Sequence, residues 1–73
     1  MPYFIHYTVT TTGHDTPPRT EPFHVLTPSG LARAVAKLKA LYEVGTDRVV
    51  ITSWQHVGHT EYDELRAAGI PFV

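Results

Sequence analysis

Two runs of β-forming residues on either side of one turn-rich segment constrain this chain most. The first run, YFIHYTVTT, covers residues 3–11, and the second, EPFHVL, covers residues 21–26. β-Branched and aromatic residues favour strands. The intervening TGHDTPPRT contains glycine, aspartate and two prolines, which favour turns and interrupt strand pairing. The pattern predicts a β-hairpin centred near Asp15, with residues 12–20 as an exposed loop.

The apolar residues of the hairpin also predict its register. A shift of one residue would move every side chain of a strand to the other face of the sheet, so apolar side chains should match across the pair. The register centred near Asp15 pairs Ile5 with Val25, Tyr7 with Phe23, His6 with His24, and Phe4 with Leu26. The first two pairs would face the core, and the other two would lie on the opposite face.

The segment after the hairpin predicts the main helix. Apolar residues recur at helical spacing from Leu31 to Tyr42. Thr27 and Pro28 match a hydroxyl N-cap followed by proline at the first helical position. Gly45 matches a left-handed residue that ends a helix. We therefore expect a helix that starts at Thr27–Pro28 and ends shortly before Gly45.

The last third of the chain predicts one more strand and one more helix. Residues 48–57, RVVITSWQHV, have the composition of a strand. A capping-box pattern starts at Thr60, which predicts a short helix over residues 61–68 that ends at Gly69. Residues 70–73 form an apolar tail, which we expect to dock back on the fold as a short strand or as a staple.

These elements give the order β-β-α-β-α in one domain over residues 1–73. The connection between the second and third strands contains a helix. We expect a right-handed crossover, in which these two strands are parallel to each other. The first strand is the least charged and is expected at the centre. The sequence thus predicts an α+β two-layer sandwich, with a three-stranded, mostly antiparallel sheet of order 2-1-3 and one main amphipathic helix on one face.

Composition excludes several classes of function. The chain has no cysteine, so it has no disulfide framework, thiolate nucleophile or cysteine-based zinc site. A net charge of −1 does not favour nucleic acid, whose binding depends largely on basic contacts to phosphate. No apolar run approaches the roughly 18 residues of a membrane span. We expect a cytoplasmic protein with no membrane partner.

Five histidines are the most chemically suggestive residues. His56 and His59 have a spacing seen among metal ligands, and His6 and His24 would meet across the hairpin, so these four are the candidate metal ligands. However, the HExxH and GxSxG motifs are absent, and no catalytic residue or cofactor is predicted. A histidine-based, metal-dependent hydrolase remains an alternative.

The favoured hypothesis is a non-enzymatic binding module, such as a regulator or inhibitor that occludes or scaffolds a protein partner. Aromatic residues dominate the energy of many protein interfaces. The candidate contacts lie on the sheet face opposite the main helix and on the hairpin loop: Phe4, His6, His24, Trp54, His56, Asp15 and Arg19. Alternation in the third strand places either Trp54 with His56, or their neighbours, on that face. Two alternatives are a homodimer through an unpaired strand or sheet face, and single-stranded nucleic-acid binding by stacking on Phe4 and Trp54.

Overall fold

Five elements form the fold, and a computed structural model describes them over residues 1–73. They are β1 (Tyr3–Thr11), β2 (Arg19–Thr27), α1 (Leu31–Tyr42), β3 (Arg48–His56) and α2 (His59–Ala67). The sheet order is β2-β1-β3, and β1 is antiparallel to both neighbours. The predicted α+β fold, its element order and its sheet order are confirmed.

The main core lies between α1 and one face of the sheet. The hairpin has the predicted register, with Ile5 opposite Val25 and Tyr7 opposite Phe23. This face and the inner side of α1 together bury Ile5, Tyr7, Val9, Val25, Ala34, Leu38 and Val49. The helix covers this face because its apolar residues recur on one side, as the sequence predicts.

The start of α1 differs from the prediction. The strand β2 continues through Thr27, which is fully buried, and the helix begins three residues after Pro28, following Gly30 as its N-cap. The Thr27 hydroxyl accepts a hydrogen bond from the Ser29 backbone N–H at 3.2 Å, so it stabilises the turn before the helix. The predicted helix start at Thr27–Pro28 is wrong because pairing of Thr27 with Tyr3 extends the strand.

The second helix also begins without the predicted cap. It starts at His59 after Gly58, and no side chain caps it, so the capping box at Thr60 does not form. Its end follows the prediction more closely, since Gly69 has a φ of 92°. The Gly69 N–H donates to the Arg66 carbonyl at 3.0 Å and the Ile70 N–H to the Leu65 carbonyl at 3.1 Å. These are the two hydrogen bonds of a Schellman motif.

A second, smaller core lies on the other face of the sheet. It buries Leu26, Val57 and Tyr62, with Phe4, Leu65 and Ile70 packed around them. The tail docks beside it: the Leu26 N–H donates to the Pro71 carbonyl at 2.8 Å, and the Val73 N–H donates to the Leu26 carbonyl at 2.8 Å. The tail is therefore a short parallel addition to the outer edge of β2, as its apolar character indicates.

Candidate functional site

A β-bulge in β3 decides which side chains share a surface. Tyr7 lies opposite Ile51 and His6 lies opposite Ser53, so Thr52 is an extra residue on β3. The Thr52 hydroxyl donates a hydrogen bond to the His6 carbonyl at 3.1 Å, which holds the bulge in place. Because one residue is inserted, the alternation of side chains along β3 reverses after Thr52.

The reversal moves two candidate residues to the face that α1 covers. Trp54 lies opposite Ile5, and His56 lies opposite Tyr3. Residues directly opposite each other in a sheet share a face. Trp54 and His56 therefore lie on the α1 side, while Phe4, His6 and His24 lie on the other side. Of the two alternatives for β3, the one that places Trp54 and His56 on the face of Phe4 is wrong. The neighbours Ser53 and Gln55 share the face of His6 instead.

On the face opposite α1, Phe4, His6 and His24 form a ring cluster. The ring centroids are 4.8 Å apart for Phe4 and His6, 5.7 Å for Phe4 and His24, and 6.1 Å for the two histidines. Phe4 is half-buried beside α2, whereas both histidines are exposed. The second helix thus covers only the end of this face near Leu26, and the histidines lie just outside the covered region.

The two outer edges of the sheet differ in their protection. The edge of β2 contains Pro22, which has no N–H to donate, and the docked tail occupies its end at Leu26. Strand β3 has no proline, and its only charged residue is Arg48 at the start. Charges, prolines and covering segments are the usual protection of an edge strand. On β3 the Val49 N–H donates to the Glu43 carboxylate at 3.0 Å, and the bulge follows at Thr52, so the part of the edge after Thr52 is the more available.

One hydrogen bond shows which way the backbone N–H and C=O groups face at the end of β3. The Val57 N–H donates to the Pro2 carbonyl at 3.1 Å, so the backbone of Val57 faces β1. Residues two apart on a strand face the same neighbour, and those between them face the other way. The N–H and C=O groups of Trp54 and His56 therefore point away from the sheet, along the unpaired edge.

Trp54 is the large aromatic residue at this edge. Its side chain is 57% exposed, although its partner across the ladder, Ile5, is fully buried. His56, next on the same face, packs edge-on against Tyr3 with ring centroids 5.2 Å apart, and its Nε2 lies 2.8 Å from the Met1 sulfur. We call Trp54, His56 and the outward backbone groups between Ser53 and Val57 the β3 edge site.

The hairpin loop carries the remaining two candidates. Asp15 and Arg19 are both exposed, as is every residue from Thr11 to Pro22. Arg19 forms an ion pair with Glu21 at 2.9 Å, but their side chains are 80% and 48% exposed. Exposed pairs of this kind contribute about 0–1 kcal/mol. The loop is thus an accessible surface at the end of the sheet farthest from Phe4.

The four candidate histidines do not come together at one place in the fold. His6 and His24 lie on one face and His56 on the other, while His59 begins α2. No group of three or more His, Asp or Glu side chains is arranged to hold a metal ion. No histidine lines any of the three surface concavities either. The arrangement provides neither the ligand set nor the pocket of a metal-dependent hydrolase.

The one group with a strongly perturbed acidity lies in the core. Burial of the Tyr7 hydroxyl, followed by its hydrogen bond to Tyr42, raises the pKa of Tyr7 well above its ordinary value of 10.0. The Tyr7 hydroxyl donates to the Tyr42 hydroxyl at 3.2 Å, and both rings pack against Phe23. A tyrosine that stays neutral in this way holds α1 against the hairpin, which is a structural role.

Sequence reasoning missed an apolar cleft where α1 ends beneath the hairpin. Its volume is about 260 Å³, and it is lined by Val9, Phe23, Leu41, Tyr42, Val44, Thr11, Glu21 and Asp47. Leu41 and Val44 are 64% and 68% exposed. Leu41 belongs to the apolar pattern of α1, so the sequence assigns it to the core. Its neighbour Tyr42 packs on Tyr7 and Phe23 instead, so Leu41 lies beside the helix stripe that contacts the core.

Comparisons with family models, curated protein sequences and solved structures give no match to this chain. Neither α1 nor α2 has the length and apolar character that crossing a lipid bilayer requires. The functional assignment therefore depends on the chemistry and geometry of the chain itself.

Proposed function

We propose that this protein is a binding module that docks a protein partner at the β3 edge site, acting as a regulator or inhibitor by occlusion or scaffolding. The observation that carries this proposal is the exposed Trp54 on β3, an edge strand whose outer side is unpaired. Trp, Tyr and Arg are enriched among the residues that contribute most to protein interfaces. An exposed indole beside unpaired backbone groups provides both an anchor and hydrogen-bonding partners.

The mode of docking that fits this edge is addition of one short strand from the partner. In such complexes the backbone hydrogen bonds supply affinity, and alternate side chains supply specificity. The outward groups of Trp54 and His56 supply two donors and two acceptors. The bulge at Thr52 interrupts the edge, so the added segment is limited to the part of β3 after Thr52. A short, interrupted edge favours one matched partner over indiscriminate strand pairing.

The other functional hypotheses have weaker support. Stacking of single-stranded nucleic acid on Phe4 and Trp54 requires both rings on one platform, but they lie on opposite faces of the sheet. Arg48 is the only basic residue on β3, and phosphate contacts usually dominate such binding. A homodimer through the same β3 edge is the nearest competitor, and the state of association of the purified protein distinguishes it.

The experiment is capture of partners from native cell extract on immobilised wild-type protein and two variants. Trp54→Ala removes the proposed anchor. Val50→Ala is the matched control, because Val50 is 54% exposed on the same strand but lies on the opposite face. We expect one dominant protein with wild type and Val50→Ala, and its loss with Trp54→Ala. Equal capture by all three proteins, or a purified protein that is already a β3-edge dimer, would contradict the proposal.

A further inference from the structure

We propose that His6 and His24 together form a binding site for one divalent transition-metal ion of the Zn²⁺, Ni²⁺ and Cu²⁺ class. The site lies on the sheet face opposite α1, away from the β3 edge site, and does not depend on the proposed function. Neutral imidazole nitrogen is a ligand that all three ions accept.

The first argument is the position of the pair in the ladder. The backbone of Leu26 bonds to the tail, so the pair of Phe4 and Leu26 does not exchange backbone hydrogen bonds. Pair types alternate along an antiparallel ladder, so His6 and His24, two residues farther on, are of the same type. In this type the Cα atoms are only about 4.5 Å apart and the side chains are closer than in the hydrogen-bonded type. The backbone thus fixes the two imidazoles side by side.

The second argument is the separation of the rings. With metal–nitrogen distances of about 2.0–2.1 Å, two imidazoles on one tetrahedral ion have ring centroids roughly 5 Å apart. The observed separation of the His6 and His24 centroids is 6.1 Å. A closure of about 1 Å, estimated from that ligand geometry, is within reach of small side-chain rotations. Both histidines are exposed to solvent, which leaves room for such rotations.

The third argument is that the ring nitrogens have no hydrogen-bond partner and that Phe4 packs against both rings. No side-chain hydrogen bond involves the ring of His6 or His24, and the single ion pair joins Arg19 to Glu21. The ring nitrogens are therefore free to coordinate. Phe4 lies against both rings on the same sheet face and packs on the second core, so it supports the imidazoles from one side. With two protein ligands, the remaining coordination positions are open to water.

The test is titration of the purified protein with zinc chloride, followed by calorimetry and by NMR of the histidine ring resonances. We expect one ion per chain, with shifts confined to His6, His24 and their neighbours. Because two ligands on one scaffold act as a chelate, His6→Ala and His24→Ala should each weaken binding by about tenfold or more. His24→Gln should weaken binding to the same extent. Glutamine is polar but has no imidazole nitrogen, so this variant shows whether zinc needs the imidazole or only a polar side chain.

Two control variants locate the site. His59→Ala removes an exposed histidine at the start of α2, and His56→Ala removes the imidazole beside the Met1 sulfur, which is the other cluster of soft donors. Both should bind zinc as wild type does. Circular dichroism checks that each variant is folded. Absence of saturable zinc binding, retention of binding in His24→Ala, or loss of binding in His56→Ala would overturn the assignment.

Discussion

Trp54 lies directly opposite Ile5 in the ladder between β1 and β3, so an indole that is 57% exposed shares a sheet face with a side chain that is fully buried. The bulge at Thr52 produces this relationship by reversing the alternation of β3. It leaves a large aromatic residue at the margin of the core, next to unpaired backbone groups. The proposed docking site depends on this placement.

Replacement of Trp54 by alanine should change stability little. Surface substitutions usually alter the free energy of unfolding by about 0.5 kcal/mol or less, and the partly covered indole extends this to about 1 kcal/mol. Urea denaturation of wild type and Trp54→Ala, followed by circular dichroism, measures the difference. A loss of 3 kcal/mol or more, the size on the order expected for a core tryptophan, would mean that Trp54 is part of the core and not an anchor.

Deletion of Thr52 should leave the fold intact and increase self-association of the protein through the edge of β3. The deletion removes only the extra residue, so Ile51 and Ser53 keep their partners Tyr7 and His6. Without the bulge the edge becomes regular, and regular unprotected edges promote pairing between chains.

Light scattering over a concentration series measures this association. The matched control is Thr52→Val, which keeps the chain length and the inserted residue but removes the hydroxyl that bonds to the His6 carbonyl. We expect stronger self-association of the deletion variant than of wild type or Thr52→Val. A folded deletion variant that associates no more than the control would show that the bulge does not protect this edge.

Two leucines of α1 should differ sharply in their contribution to stability. Leu38 is 1% exposed in the main core, whereas Leu41, three residues farther on, is 64% exposed. Leu38→Ala should cost about 2–5 kcal/mol, through lost burial and the cavity that remains. Leu41→Ala should cost about 0.5 kcal/mol or less. Chemical denaturation of both variants tests the placement of α1, and similar losses would contradict it.

The raised pKa of Tyr7 predicts a loss of stability in alkaline solution. The unfolded chain releases the Tyr7 proton near the ordinary pKa of 10.0, while the folded protein keeps it to higher pH. The unfolded state then binds fewer protons, so the free energy of unfolding falls as the pH rises above 10. Tyr7→Phe cannot titrate and should lose less stability between pH 9 and pH 11. Equal losses in both proteins would assign the effect to other groups.

Local patterns predicted most of the fold, and tertiary pairing decided the rest. The hairpin register followed from matched apolar residues, and the Schellman end of α2 followed from Gly69. The start of α1 was missed because Thr27 fits both a helix cap and the last pair of a strand, and pairing with Tyr3 prevails. The residues around Thr27 do not show which of the two roles prevails, because the outcome depends on its partner Tyr3 in another strand.

The candidate site was less accessible to sequence reasoning than the fold. The pairing of His6 with His24 was predictable because it depends only on the hairpin register. The position of Trp54 was not, because it depends on one inserted residue in β3. The sequence does not show the insertion, because Val49, Val50 and Ile51 are all apolar and fit either alternation of β3.

Hydrogen exchange of the backbone amides, with and without the captured partner, tests the central proposal most directly. The proposed strand addition predicts that the amides of Trp54 and His56, which point away from the sheet, become protected when the partner binds. The amides of the hairpin loop at residues 12–18 should exchange at unchanged rates. Protection confined to the loop or to the face of His6 and His24, with no change at Trp54 and His56, would contradict the account.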